Sequence, residues 1–242
     1  MRVENIETDF VGYGRMTKLI DIPFELDVVS IAKTVRIEPD SPDGQTLREL
    51  IAKARQIAQP KAMYKEAFID NKGADTVTVE GVTLTSRMLR ANLDRVERVF
   101  PFVATCGHEM DMVTLPAGDL LAEFWWDAIK AVLLGCAIRH LNEHLKRRFA
   151  LGKAASMSPG SGDVGVWPIE QQRELFALLG DVKGQIGVEL TESFLMRPNK
   201  TVSGIHFATE VDFHSCQVCR RKDCPSRSAA FDPALWDLHQ HG

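Results

Sequence analysis

Several things this chain lacks narrow its role at the outset. Nowhere in its 242 residues does an apolar run reach the roughly 18–20 residues a membrane-crossing helix needs, so no membrane partner is expected. Its opening stretch, MRVENIETDF, lacks a basic-then-apolar secretory pattern, and the expected compartment is the cytoplasm. Charge of one sign is also scarce. The 29 Lys and Arg against 33 Asp and Glu leave a net −4, and the run Arg220, Arg221, Lys222 is too short to imply nucleic acid. There is no P-loop, internal repeat or low-complexity segment. Cysteine is limited to five residues. In a reducing compartment these are not a disulfide framework, and a core of this size needs none.

What remains is ordinary globular material, 45% hydrophobic and 26% charged. The stretch EPDSPDG reads as a loop, and QTLRELIAKARQIAQ as a helix with Leu47, Leu50, Ile51, Ala54 and Ile57 on one face, stopped by Pro60. Next, AMYKEAFID and DTVTVEGVTLT read as strands joined by the turn NKGAD. A short helix is expected over 86–94, then a buried strand, ERVFPFVATCG, ending at Cys106. The longest helical pattern runs from Asp119 to Phe149, with Leu121, Phe124, Trp125, Ala128, Val132 and Leu133 apolar and a basic last turn; Gly135 within it predicts close packing against a neighbour. KAASMSPGSGDVGVWP reads as a loop, IEQQRELFALLG as a helix, and VELTESFLMRPNKTVSGIHFATEV as two strands about Pro198-Asn199-Lys200. Helices mixed with hairpin-like strands predict an α+β fold with a mainly antiparallel sheet.

Chemistry concentrates in a few places. In SMSPGSGD, glycines would let backbone N–H groups approach a ligand, although a plain connector has the same composition. Glu192, in a Thr-Glu-Ser corner, suits a helix cap, a surface acid or a ligand contact equally. Cys136, His140 and His144 share a helix face, a pattern that a buried thiol and two helix-end histidines explain without a metal. The tail is different, because Cys216, Cys219 and Cys224 follow C-x2-C-x4-C, with Pro225 next. Three soft donors within nine residues suit an iron–sulfur cluster of the 4Fe–4S type or a structural zinc, with free or redox-active thiols as the remaining option. The neighbouring cations would offset thiolate charge. Cys106 is the leading fourth ligand and Cys136 the second. His214 would complete a Cys3His zinc site, and an open iron is a further option.

The order of the Ser-Pro-Gly loop, a short helix, LTESFLMRP and TVSGIHF resembles the activation region of the cobalamin-dependent methionine synthase family. The resemblance spans most of residues 20–210 and rests chiefly on Ser156–Ser161, Leu190–Ser193, Met196–Pro198 and Thr201–Gly204, with VFPFVATCGHEMD similar to stand-alone members. It implies a C-shaped α+β domain, expected over 1–210; the cysteine spacing, not the resemblance, adds a metal-binding tail, 211–242, packed on it. It also implies S-adenosylmethionine as a ligand of Ser156, Ser158, Pro159, Gly160, Ser161 and Glu192. The partner it implies is a corrinoid-binding protein or methyltransferase subunit carrying cobalamin. Two departures stand out. The family's loop arginine and tyrosine fall at Ser156 and Ser161, which removes a charge-assisted contact to the ligand. The cysteine-rich tail is also foreign to the methionine synthase domain, and the modules for homocysteine, folate and cobalamin have no counterpart in these residues. The implied function is reductive activation of a corrinoid system, with an iron–sulfur cluster as the electron carrier and a separate electron donor as a further partner. The alternatives are a non-catalytic corrinoid-protein-binding module and an S-adenosylmethionine-binding methyltransferase component.

Overall fold

RVFPFVAT, with hardly a polar side chain, is the sequence of a strand covered on both faces. In the computed structural model it forms β6 (Arg98–Thr105) near the middle of the sheet, buried along nearly its whole length. The structure describes residues 5–11, 14–163, 165–210, 213–224 and 227–241; Pro225 and the first four residues of the N-terminal stretch lie outside the described residues.

The other strands of this sheet are β1 (Asn5–Val11), β2 (Gly14–Ile20), β3 (Lys61–Lys72), β7 (Ala154–Met157) and β10 (Thr201–Ala208). Their order is β1-β2-β3-β6-β10-β7, and every pairing is antiparallel. A hairpin of β4 (Thr76–Val79) and β5 (Val82–Thr85) extends from β3. DTVTVEGVTLT is therefore two strands rather than one. Glu80 and Gly81 both take positive φ, and Asp70 accepts the Gly81 N–H at 2.7 Å, so the chain reverses there. A second, two-stranded sheet pairs β8 (Glu189–Leu190) with β9 (Met196–Arg197).

Helices cover both faces. On one lie α1 (Val28–Val35), α2 (Pro42–Ile57) and the 30-residue α4 (Leu120–Phe149), about 45 Å long at 1.5 Å per residue. On the other lie α3 (Arg87–Asn92), α5 (Gln172–Leu179) and α6 (Val182–Ile186), followed near the end of the chain by α7 (Pro233–His241). Alternation along the strands feeds two cores: Met63, Val99, Val103, Ile205 and Phe207 point to the α5 side, whereas Tyr64, Phe100, Phe102 and Ala104 point to α4. A third cluster joins α1, α2 and the first half of α4 and contains Cys106.

The helix read from Gln45 begins three residues earlier, because the Ser41 hydroxyl accepts the Gly44 N–H at 3.1 Å and Pro42 occupies the first turn. The segment read as one long loop after α4 contains the edge strand β7, whose pairing with β10 no local pattern reveals. On α4 the buried stripe runs through Ala122, Trp125, Trp126, Ile129, Leu133 and Cys136, leaving Leu121 and Phe124 exposed. Nor does Gly135 serve close packing: a Cβ there would meet only Arg139 Nη1, at 3.5 Å.

Candidate functional site

Two neighbouring residues at the start of α5 hold the Ser-Pro-Gly loop and the Thr-Glu-Ser turn. Gln172 is buried; its Nε2 donates to the Pro159 carbonyl at 3.3 Å, and its Oε1 accepts the Ser203 hydroxyl of β10 at 2.6 Å. The next residue, Arg173, places its guanidinium carbon 5.2 Å from the centre of the Phe194 ring in the β8–β9 turn. Sequence reading gave no role to either, since a glutamine and an arginine opening an amphipathic helix carry no distinguishing signal.

The loop itself is tightly made. Ser156 lies on β7 opposite His206, and Ser158 follows the strand. Pro159 is buried, whereas Gly160 and Ser161 are exposed. The Gly160 N–H donates to the Trp167 carbonyl at 2.8 Å, and the Ser161 N–H to that of Ser158 at 3.1 Å. Gly160 has φ +77°, and a Cβ there would stand 2.9 Å from Ile169. Gly204 of β10 lets the loop approach: a Cβ would clash with the Met157 carbonyl and lie 2.7 Å from Ser158 Oγ. Glu192 is exposed in a turn closed by the Thr191 N–H donating to Leu195 O at 2.8 Å and by Thr191 Oγ1 accepting the Leu195 N–H at 3.1 Å. Glu192 and the loop residues thus flank the first turn of α5.

Beyond β10 the chain pins its cysteines by burying the residues between and before them. Phe213 and Val218 enter the α5-side core, leaving Cys216 half-buried on a 3-10 turn, Ser215–Val218, and Cys219 half-buried just after it. Arg227 staples this segment, its guanidinium donating to the carbonyls of Cys216 (3.1 Å), Cys219 (3.1 Å), Ala229 (3.2 Å) and Arg221. The Ser228 hydroxyl and amide both donate to Cys216 Sγ at 3.5 Å and hold its thiol below the usual range. Cys224 is half-buried, and its carbonyl accepts the Arg227 N–H at 3.1 Å.

The thiols are chemically suited to a soft metal, but the described arrangement does not close around one: among the described residues no three His, Cys, Asp or Glu side chains converge as a metal site. Cys106 is not delivered to the tail. Its N–H bonds the Lys200 carbonyl just before β10 begins, whereas the tail leaves from the far end of that strand. It is fully buried with α1, α2 and α4, and burial pushes its thiol up to about 12. Cys136 sits on α4, with Arg139 Nη2 donating to its sulfur at 3.2 Å, and His144 of the same face is a buried partner of Tyr64 Oη at 3.0 Å. His214 is exposed and opens the 3-10 turn, its N–H donating to Gln217 Oε1 at 2.8 Å.

The Ser-Pro-Gly loop and the tail touch. Arg220, between Cys219 and Cys224, donates from Nε to Asp163 Oδ2 at 2.9 Å while its guanidinium stacks 4.5 Å from the Trp236 ring centre of α7. A Cβ on Gly162 would lie 3.6 Å from the Ser215 carbonyl and 3.8 Å from Cys219 Cβ. Positions 163 and 220 are far apart in sequence, and no local pattern connects them.

Set against known proteins, residues 155–225 match the model of the vitamin B12 dependent methionine synthase activation domain family. The matched segment ends one residue past Cys224 and so spans all three tail cysteines. In structure the chain is similar to the crystal structure of the MetH reactivation domain bound to AdoHcy, with 16% identity and a TM-score of 0.51 over 78% of this chain and 69% of that one. At that identity the likeness establishes the fold: mixed helices around an antiparallel sheet. Comparison with curated protein sequences finds no match.

Proposed function

We propose that this chain, an activation-domain-like protein in fold and in its 155–225 segment, serves reductive activation of a corrinoid methyltransferase system. The observation that carries the proposal is the convergence at α5: Gln172 and Arg173 hold the Ser-Pro-Gly loop and the Thr-Glu-Ser turn side by side, and the thiol-bearing tail abuts that loop. The similar reactivation domain is described as bound to AdoHcy, so the ligand proposed for Ser156, Ser158, Pro159, Gly160, Ser161 and Glu192 is an S-adenosyl compound. With serine at 156 and 161, the contacts would come from backbone groups and hydroxyls, without a guanidinium's charge assistance.

The tail is proposed to hold a 4Fe–4S cluster through Cys216, Cys219 and Cys224, with zinc as the alternative metal. Such a cluster supplies single electrons, which corrinoid reactivation consumes. This chain's own contribution is to fix the cysteine backbone through Arg227 and to present Arg220 and Arg221 beside it. The partner would be a corrinoid-carrying protein, with a separate electron donor. Anaerobic reconstitution, followed by iron and sulfide analysis and a cob(II)alamin reduction assay with a corrinoid-loaded partner, tests this reading. Brown protein that supports reduction is expected. Colourless protein with one bound zinc and no reduction would refute the electron-carrier role.

A second reading, docking without redox chemistry, is favoured by one surface. Met112, Leu120, Leu121 and Phe124 are 74%, 75%, 56% and 55% exposed around the start of α4, more apolar surface than a solitary helix end requires. If docking on this patch is the whole function, Leu121→Glu with Phe124→Glu abolishes binding to the corrinoid-loaded partner, and removing the tail cysteines changes nothing. Unchanged partner binding in the double variant would reject this reading.

A further inference from the structure

We infer that the cleft bounded by α3, the start of β6, the end of β10 and the tail is a separate binding site, for a flat aromatic molecule bearing one anionic group. It encloses about 960 Å3, at the upper end of the range for small-molecule sites. It stands apart from the Ser-Pro-Gly loop. Lys153 and Thr209 line it just before Ala154 of β7, whereas the loop leaves from Met157, about 10 Å further along that strand. Apolar walls come from both parts of the chain: Met88 and Val96 from α3 and the turn after it, buried Phe100 and Leu151 from the sheet side, and Phe213 and Leu235 from the tail and α7. Phenyl rings and a thioether among these walls favour a ring system over an alkyl chain.

Electrostatics select the sign of the ligand. Three cations line the cleft: Arg95, Arg98 and Lys153. Acids on its rim are engaged elsewhere. Asp94 accepts from Arg90 at 2.8 Å and Glu97 from Lys72 at 2.6 Å, and neither of those cations lines the cleft. Asp232 caps α7, its Oδ1 accepting the Ala234 and Leu235 N–H groups at 3.0 and 3.1 Å. Arg98 bonds Glu66 at 3.2 Å, and its guanidinium carbon lies 5.5 Å from the Phe100 ring centre. Arg95 is exposed, and among the described residues no hydrogen bond or ion pair engages its guanidinium. Against these cations stands the exposed Glu210, so the cleft carries a positive balance that suits a carboxylate, sulfonate or phosphate near Arg95.

The test uses two fluorescent probes on the full chain, 8-anilinonaphthalene-1-sulfonate and N-phenyl-1-naphthylamine, which share a ring system and differ by the sulfonate. The anionic probe is expected to saturate at one equivalent and to bind about fivefold tighter than the neutral one at low salt, an advantage that 0.5 M NaCl removes. Ala91 is an exposed lining residue of α3, so Ala91→Trp fills the cleft without disturbing a core and should weaken both probes by about tenfold or more. Arg95→Glu should weaken the anionic probe about fivefold and leave the neutral one unchanged. Thermal unfolding and circular dichroism on both variants confirm the native fold. Leu121→Glu with Phe124→Glu, on the exposed patch of α4, should change neither affinity. Probe binding that survives Ala91→Trp in a folded protein, or that the α4 double variant abolishes, would overturn the site. Equal affinity for the two probes, or an Arg95→Glu variant that binds both as the parent does, would overturn its preference for anions.

Discussion

Replacing Gln172 by methionine, which has nearly the same length and shape, isolates the polar bridge that holds the Ser-Pro-Gly loop. In the native protein Gln172 is 3% exposed and satisfies two groups at once, the Ser203 hydroxyl at 2.6 Å and the Pro159 carbonyl at 3.3 Å. Ser203 is itself buried, so neither water nor a neighbouring side chain replaces the amide without rearrangement. Each stranded buried group costs roughly 1–3 kcal/mol, and the better burial of a thioether offsets part of that, which leaves a net loss of ~2–4 kcal/mol. For a chain of this length, about 2–4 °C per kcal/mol puts the fall in Tm at roughly 5–15 °C. Thermal unfolding followed by circular dichroism measures it directly. A double-mutant cycle with Ser203→Ala should show a coupling of about 1 kcal/mol or more, because removing both partners strands fewer groups than removing one. A Tm shift below ~1 °C, or strict additivity in the cycle, would refute the bridge.

Other expectations follow from the same geometry. Gly204→Ala forces a Cβ against Met157 and Ser158 and should cost ~1–3 kcal/mol in urea unfolding, whereas Gly135→Ala meets only the Arg139 guanidinium, at ordinary contact distance, in a helix interior and should gain about 0.5–1 kcal/mol. The His206 ring, tilted against that of Phe102 with centres 4.8 Å apart, is held neutral by burial, with its pKa lowered to about 4. The unfolded chain takes up that proton first, so this stability is fully present above pH ~6.5 and lost as pH falls through the folded pKa, worth about 3 kcal/mol in all. A His206→Gln variant should flatten the acid limb of the stability profile; an unaltered limb would contradict the assignment. Cys106→Ser should leave tail metal content unchanged while destabilising the fold by ~1–3 kcal/mol through a buried hydroxyl. Loss of metal in a folded Cys106→Ser protein would restore Cys106 as a ligand.

The legible parts of this protein were those with short-range causes. The stripe Leu47, Leu50, Ile51 and Ala54 marked α2 because helical periodicity puts those residues on one buried face. β6 was legible because a doubly covered strand tolerates almost no polar residue. Caps are just as local, yet the loop reading of EPDSPDG overrode Ser41 and Pro42 and delayed α2 by three residues. The single-strand reading of DTVTVEGVTLT likewise missed the reversal at Glu80-Gly81, although EG between alternating residues is a turn signal. The stripe on α4 was set one residue out at its first turn, where exposed Leu121 and Phe124 imitate a core face.

The sequence by itself determined the α+β class, most helices and central strands, and the grouping of three thiols in one short tail. Spacing alone settles such features, because they depend on neighbours a few residues away. The tertiary structure decided that Cys106 belongs to another core, that Gln172 and Arg173 join the loop to the Thr-Glu-Ser turn, and that Arg220 meets Asp163. Those contacts form only when the β7–β10 edge pairing and the packing of the tail bring distant segments together. That pairing is a long-range event stabilised by burying both segments, and neither segment encodes it alone.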